Sequence, residues 1–254
     1  HIGATYARLA GYADDVAQAI DEHYLPDSSG GPLPSTRPGA VLSAADKLDT
    51  LVAVFGLGRR PSGSRDPFGL RRAAIGLCRL ALEGGVVVPR DLMTDDVRDF
   101  VEERLEGLLD VPVEFVRAAR ASAAADLAGV ARQAQLLAAA ERTDEFDAVH
   151  TAFERAHRLA GRAETEAAPA LDDALLEEGA ERELAAALAG AAIEPGGDLG
   201  AAAALAPHVN RYFDDVLVMA EDPAVRANRL RLLLDVRDAL RRLGDFAQIP
   251  RAGG

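Results

Sequence analysis

The chain has 254 residues, a formal net charge of −13 and a pI near 4.8. That length can bury a substantial core in one or two domains, and the acidic balance excludes a protein that coats nucleic acid indiscriminately, while leaving room for a local basic site. Hydrophobic residues at 49% and charged residues at 27% mark a globular chain, and few aromatics beside abundant Ala, Leu, Arg and Glu favour helix throughout.

The single cysteine, Cys78, excludes an intrachain disulfide and points to a reducing compartment. No apolar run approaches the roughly 20 residues of a membrane span, so a cytoplasmic protein away from membranes is expected. The chain starts at His1 with a helical pattern already under way a few residues in, which suggests a piece of a longer protein.

Residues 4–24 carry Tyr6, Leu9, Ala13, Val16, Ala17, Ile20 and Tyr24 at i, i+3/i+4 spacing, predicting one amphipathic helix. PDSSGGPLPSTRPG (26–39) reads as a loop, and 41–58 returns to helical spacing until Gly56 and Gly58. A helix over about 67–83 follows, with Ser64 or Asp66 able to cap it and Pro67 in its first turn. GGVVVP (84–89) ends it, with room for a short extended piece. Helices are then expected at about 95–109, 112–121, 124–140, 144–160 and 169–191, a short one at 198–206, another from Pro207, and a long one at 223–243. A boundary near 84–95 would divide a domain at 1–90 from one at 91–254, and no repeat of fixed period is present.

Between the second and third of these segments lies RRPSGSRDPFGLRR (59–72), with Arg59, Arg60, Arg65, Arg71 and Arg72 against one acid, Asp66. Ser62, Gly63 and Ser64 can present backbone amides before a helix N-terminus, which favours an anion, and the arginines can grip phosphate bidentately. Arginine is equally the preferred partner of buried acids, so pairing with Asp46, Asp49 or Asp66 competes. His23 and Asp46 are weak metal candidates, because one His and one or two Asp are too few ligands; packing and amide bonding are the preferred reading. Near the C-terminus Arg226 and Arg229 edge a helix whose other edge is Leu230, Leu233 and Leu234, while Phe213 and Met219 fit a core. There is no P-loop, CxxC pair, GxGxxG or Ser/His/Asp set.

The strings GATYARLAG, VAQAIDEHYLP, SAADKLDTLVAVFGLG and RPSGSRDPFGLRRAAIG make the first ninety residues similar to the β subunit of bacterial heterotetrameric glycyl-tRNA synthetase. FVEERLEGLL, AFERAHRL, RYFDDVLVMAEDPAVRANRLRLL and LGDF extend the resemblance toward the end of the chain. Two positions depart from it: Glu154–Arg155 stands where that family usually has Lys–Arg, and Arg158 where it usually has Asn.

The resemblance implies an all-α chain: the later part of an HD-type helical domain, then a helical anticodon-binding domain of the kind also seen in arginyl-tRNA synthetase. Of the HD signature only the distal aspartate, resembling Asp46, is present. Implied partners are tRNA-Gly and the α subunit, in an α2β2 assembly. ATP and Mg2+ would act at α, with no cofactor and no catalytic residue in this chain. The expected RNA contacts are Arg59, Arg60, Arg65, Arg71, Arg72 and Arg155, with Tyr212, Phe213, Arg226 and Arg229 at the anticodon loop. The alternatives are an HD-type metal-dependent phosphohydrolase fragment and a helical scaffold for a protein partner.

Overall fold

The computed structural model describes residues 1–61, 66–166, 169–177 and 179–251, with backbone alone over 160–166. Among the described residues the chain is all-α, with eleven α-helices and no strand. In order they are α1 Ile2–Leu9, α2 Asp14–Glu22, α3 Arg37–Gly56, α4 Leu70–Leu82, α5 Asp95–Glu102, α6 Val113–Arg120, α7 Leu127–Ala140, α8 Asp144–Glu166, α9 Ala180–Gly190, α10 Gly200–Asp215 and α11 Pro223–Arg241.

The chain forms two compact units. One is His1–Asp110 with Ala125–Ala131; the other is Val111–Ala124 with Arg132–Gly254. The composition break at 84–95 therefore falls inside the first unit, because the backbone there is tied in on both sides. Arg37 donates to the Gly85 carbonyl at 2.7 Å, the Leu127 amide to the Val88 carbonyl at 3.2 Å, and the Arg90 amide to the Ala125 carbonyl at 2.9 Å. The Arg90 guanidinium also clasps the buried Glu102 carboxylate at 2.6 and 3.2 Å. The extended piece expected here is a single bridge between Pro89 and Asp126.

In the first unit α1 packs on α2, α2 on α3, α3 on α4, and α4 on α5. The single helix expected over 4–24 is two, because Gly11 adopts φ 82°. The Tyr12 amide then bonds back to the Ala7 carbonyl at 3.0 Å and closes α1 in a Schellman cap. The same motif ends α3: Gly58 has φ 70°, and the Arg59 amide reaches the Val54 carbonyl at 3.2 Å. Helix α4 starts at Leu70, later than the Pro67 expected, because Gly69 takes φ 67° and breaks the helical path.

In the second unit α8 packs along α11, and α10 against α8 and α9. Phe146 and Phe153 meet Phe246 at 5.8 and 5.6 Å between ring centroids, in a core that includes Phe115, Tyr212 and Leu233. Pro207 was expected to separate two short helices; it lies inside α10 instead. Losing one backbone hydrogen bond is outweighed by burial of Ala202, Leu205, Ala206, Val209 and Tyr212 along that helix. The helix expected over 169–191 is a turn at Asp173–Leu175 and then α9, set off by Gly179 at φ 89°. Asp222 caps α11 by accepting from the Ala224 amide at 2.7 Å, with Pro223 at the first helical position.

Glu22 holds the entry to α3. Its carboxylate accepts from the Ser35 hydroxyl at 2.6 Å, the Thr36 hydroxyl at 2.6 Å, the Thr36 amide at 3.1 Å and the Gln18 amide at 3.1 Å. Burial alone would raise its pKa, but those donors together hold it down to about 2. A depressed carboxylate stabilises the fold above its unfolded pKa and loses that contribution as pH falls through the folded value. Glu22→Gln should therefore cost on the order of 2–3 kcal/mol at pH 7, with the gap to the parent closing between about pH 4.5 and 2 in thermal or urea unfolding. Cys78 is fully buried, its thiol donates to the Val101 carbonyl at 3.4 Å, and burial, reinforced by the Glu102 carboxylate, pushes its pKa up to about 12. A thiol reagent should label the folded chain at least about a hundredfold more slowly than the urea-unfolded chain.

Candidate nucleic-acid interface

The arginine turn begins where the cap of α3 releases the chain. Arg59 is exposed, with its guanidinium 5.7 Å from the centroid of the Phe68 ring. Arg60 is paired with Asp96 and lies 5.7 Å over the Phe55 ring. Arg65, with the amides of Ser62, Gly63 and Ser64, lies outside the described residues. Asp66 accepts from the amides of Leu70 and Arg71 at 2.8 and 2.9 Å. Its carboxylate thus fills the place at the start of α4 that an anion would take, so the positive character of the turn rests on side chains. Arg71 is half-buried and not free. Arg72 is exposed, its guanidinium folded back over Gly69, where a Cβ would lie 2.8 Å from Nη2.

Arg72 lines a cleft of about 360 Å³ with Tyr24, Asp46, Lys47, Thr50 and Phe68. Phe68 also borders a second hollow of about 320 Å³, lined by Arg59, Arg60 and Asp66. Lys47 was not singled out by the sequence, yet it anchors the cleft floor. Its buried ammonium donates to the Leu25 carbonyl at 3.0 Å, the Tyr24 carbonyl at 3.3 Å and the Ser43 hydroxyl at 2.9 Å. Burial lowers its pKa, Arg72 lowers it further, and Asp46 and Asp27 oppose them. The signal available in sequence was the i, i+4 polar pair Ser43 and Lys47 on the inward face of α3.

The two metal candidates are not brought into a ligand set. His23 Nδ1 is 2.6 Å from the Ile20 carbonyl and its ring lies 3.8 Å from that of Tyr24, while Asp46 is exposed at the cleft. Among the described residues no group of three or more His, Cys, Asp or Glu side chains is placed to hold a metal ion.

The second unit takes most of its expected RNA-binding residues into its own architecture. Tyr212 is fully buried, and its hydroxyl donates to the Arg229 carbonyl at 3.3 Å, so its ring offers no face to a base. Arg229 is buried as well. It binds Glu181 at 2.5 Å, Glu177 at 3.1 Å and the Leu217 carbonyl at 2.9 Å. Arg226 donates to the Ala220 carbonyl at 2.9 Å. Arg155 bonds the Asn210 side chain at 2.8 Å, lies 3.4 Å from Asp214, and covers the half-buried Phe213 ring at 5.3 Å. The leucine edge beside Arg229 explains this: a helix packed along α8 carries the whole residue inward, and only a matched acid makes that tolerable.

A family model described as "Glycyl-tRNA synthetase beta subunit" matches residues 1–134. Among curated proteins, the glycine–tRNA ligase beta subunit of Anaeromyxobacter dehalogenans (strain 2CP-C) is 36% identical over 279 residues, covering 98% of this chain and 40% of that relative. The protein of the same name from Streptococcus pyogenes serotype M4 is 36% identical over 268 residues, and that of Phenylobacterium zucineum 37% over 264, each again covering 98% of this chain. The chain spans about two-fifths of the length of these relatives. On a match across more than half its length, supported by relatives aligned to nearly all of it, the chain belongs to the glycyl-tRNA synthetase beta subunit family.

Proposed function

We propose that this chain is a tRNA-handling portion of glycine–tRNA ligase β, which holds tRNA-Gly while the α subunit glycylates it. The observation that carries this reading is the state of Arg59 and Arg72. In a chain of net charge −13 both are exposed, and among the described residues neither has an ion pair. They flank Phe68 at the rims of two adjoining hollows. Such cations contact phosphate and set the register of the RNA, while the acidic remainder discourages indiscriminate binding.

On family grounds the first unit corresponds to part of an HD-type domain and the second to an anticodon-binding domain. In the second, Phe213 is the expected contact that keeps a partly exposed ring for stacking. ATP and Mg2+ would act at the α subunit, in an α2β2 assembly in the cytoplasm. Among the described residues no helix is long and apolar enough to cross a membrane. The hydrolase alternative is less well supported, since the matching family model and the relatives are glycyl-tRNA synthetase beta subunits.

Filter binding of tRNA-Gly at two salt concentrations tests the reading. The parent should bind more weakly at higher salt, and Arg59→Ala/Arg72→Ala should lower affinity and reduce the salt slope by about two. Salt-independent or absent binding by the folded chain, alongside association with the α subunit, would favour the scaffold instead. Arg229→Ala should behave differently: by leaving Glu181 buried without its partner it should cost about 3–5 kcal/mol in urea unfolding.

A further inference from the structure

The cleft bordered by Tyr24, Phe68 and Arg72 has features that phosphate contact alone does not explain. Tyr24 is 67% exposed and Phe68 47% exposed, and both line the same 360 Å³ space. Phe68 is one of eight phenylalanines, and the other seven are buried or half-buried. Leaving these two rings open to one cleft forgoes the hydrophobic gain that the other phenylalanines take in whole or in part, an arrangement suited to stacking.

The cleft is also electrically divided. Lys47 has each of its three donors satisfied by protein oxygens, so it is a fixed charge in the floor and not a movable ligand. Arg72 is the exposed cation, close enough to Lys47 that the two charges oppose one another. An anion beside Arg72 would relieve that opposition. Asp46, Asp27 and Thr50 supply acceptors in the same space, suited to the amino groups on a base edge.

We propose that this cleft seats one unpaired nucleotide, its base against the Tyr24 and Phe68 rings and its phosphate on Arg72. A cavity of this size matches the lower range of small-molecule pockets, roughly 300–1,000 Å³, and is too small for a duplex. A base can offer its face and its pairing edge to a protein only when it is unstacked and unpaired. The inference deepens the RNA-binding reading and rests on it: phosphate contacts position the RNA, and this cleft takes a nucleotide from a single-stranded part of it, or a free nucleoside monophosphate of the same chemistry.

Anisotropy titrations of the whole chain with a labelled single-stranded tetraribonucleotide, the same sequence as a blunt duplex, and tRNA-Gly test this directly. The tetranucleotide should bind, the duplex at least about tenfold more weakly, and Tyr24→Leu should weaken the tetranucleotide by roughly 5- to 100-fold. Arg72→Gln should weaken it by about tenfold and flatten its salt dependence. Both side chains are exposed, and circular dichroism would confirm that the variants fold. Displacement of the tetranucleotide by a nucleoside monophosphate would extend the seat to free nucleotides; failure of displacement alongside tight tetranucleotide binding would assign it to strands. Equal affinity for duplex and single strand, or variants within twofold of the parent, would overturn the cleft assignment even if tRNA-Gly still binds. Absence of tRNA-Gly binding by the parent would instead count against the RNA reading itself.

Discussion

Lys47 carries a positive charge into the crossing of α3 and α4, and the N-terminal unit is arranged around that fact. A buried ammonium is tolerable only when each of its donors finds an acceptor, and here two come from the backbone of residues 24 and 25 and one from Ser43. The loop after α2 is thereby pinned to α3, and Ser43 adds its own bond to the Leu25 carbonyl. Gly76 on α4 makes the crossing close enough: a Cβ there would lie 2.7 Å from Lys47 Cε. Glu22 performs the complementary task at the other end of the same loop, binding Ser35 and Thr36 before α3 begins. Tyr24 is held at the cleft rim because the backbone on both sides of it is fixed.

Both units pair arginines internally, as Arg90 with Glu102 in the first, but the turn around Phe68 departs from that pattern. In the second, Arg229 is matched by Glu181 and Glu177, and Arg211 by Glu183 and Asp215. These are structural cations in an acidic chain, and the buried one stabilises chiefly in the sense that removing it would strand its acid. In the first, Asp66 is consumed by backbone amides and so leaves the neighbouring guanidinium groups to other partners. The difference follows from sequence context: Arg229 sits on the inward face of a leucine-rich helix, whereas Arg59 follows Gly58 past the end of α3 and Arg72 lies on the exposed side of the first turn of α4.

Helix is legible throughout the sequence because alanine, leucine and glutamate repeat at helical spacing, and the glycines at 56 and 58 mark the stop of α3, where Gly58 has φ 70°. The helix starts were less legible. Gly11, Gly69 and Gly179 each impose a left-handed turn that periodicity alone does not reveal, and Pro207 was overruled by burial on both sides of it. At the candidate site, residue type identified the arginine turn but not which arginines the fold would use internally, since pairing depends on acids distant in sequence such as Asp96 and Glu181. Tyr212 illustrates the same limit: an aromatic where the resemblance implies RNA contact suggests stacking, and only packing shows that its ring belongs to the core. The cleft itself was invisible to sequence, because Tyr24, Lys47 and Arg72 come from three separate segments.

If RNA meets the N-terminal unit at the turn around Phe68 and the cleft beside it, as proposed, bound tRNA-Gly must shield the backbone there. Hydrogen–deuterium exchange of the chain with and without tRNA-Gly addresses it most directly, because each amide reports its own position. Slowed exchange over residues 22–27, 59–61 and 66–73 is expected. Protection confined to α10 and α11, with those N-terminal segments unchanged in the presence of bound tRNA, would contradict it.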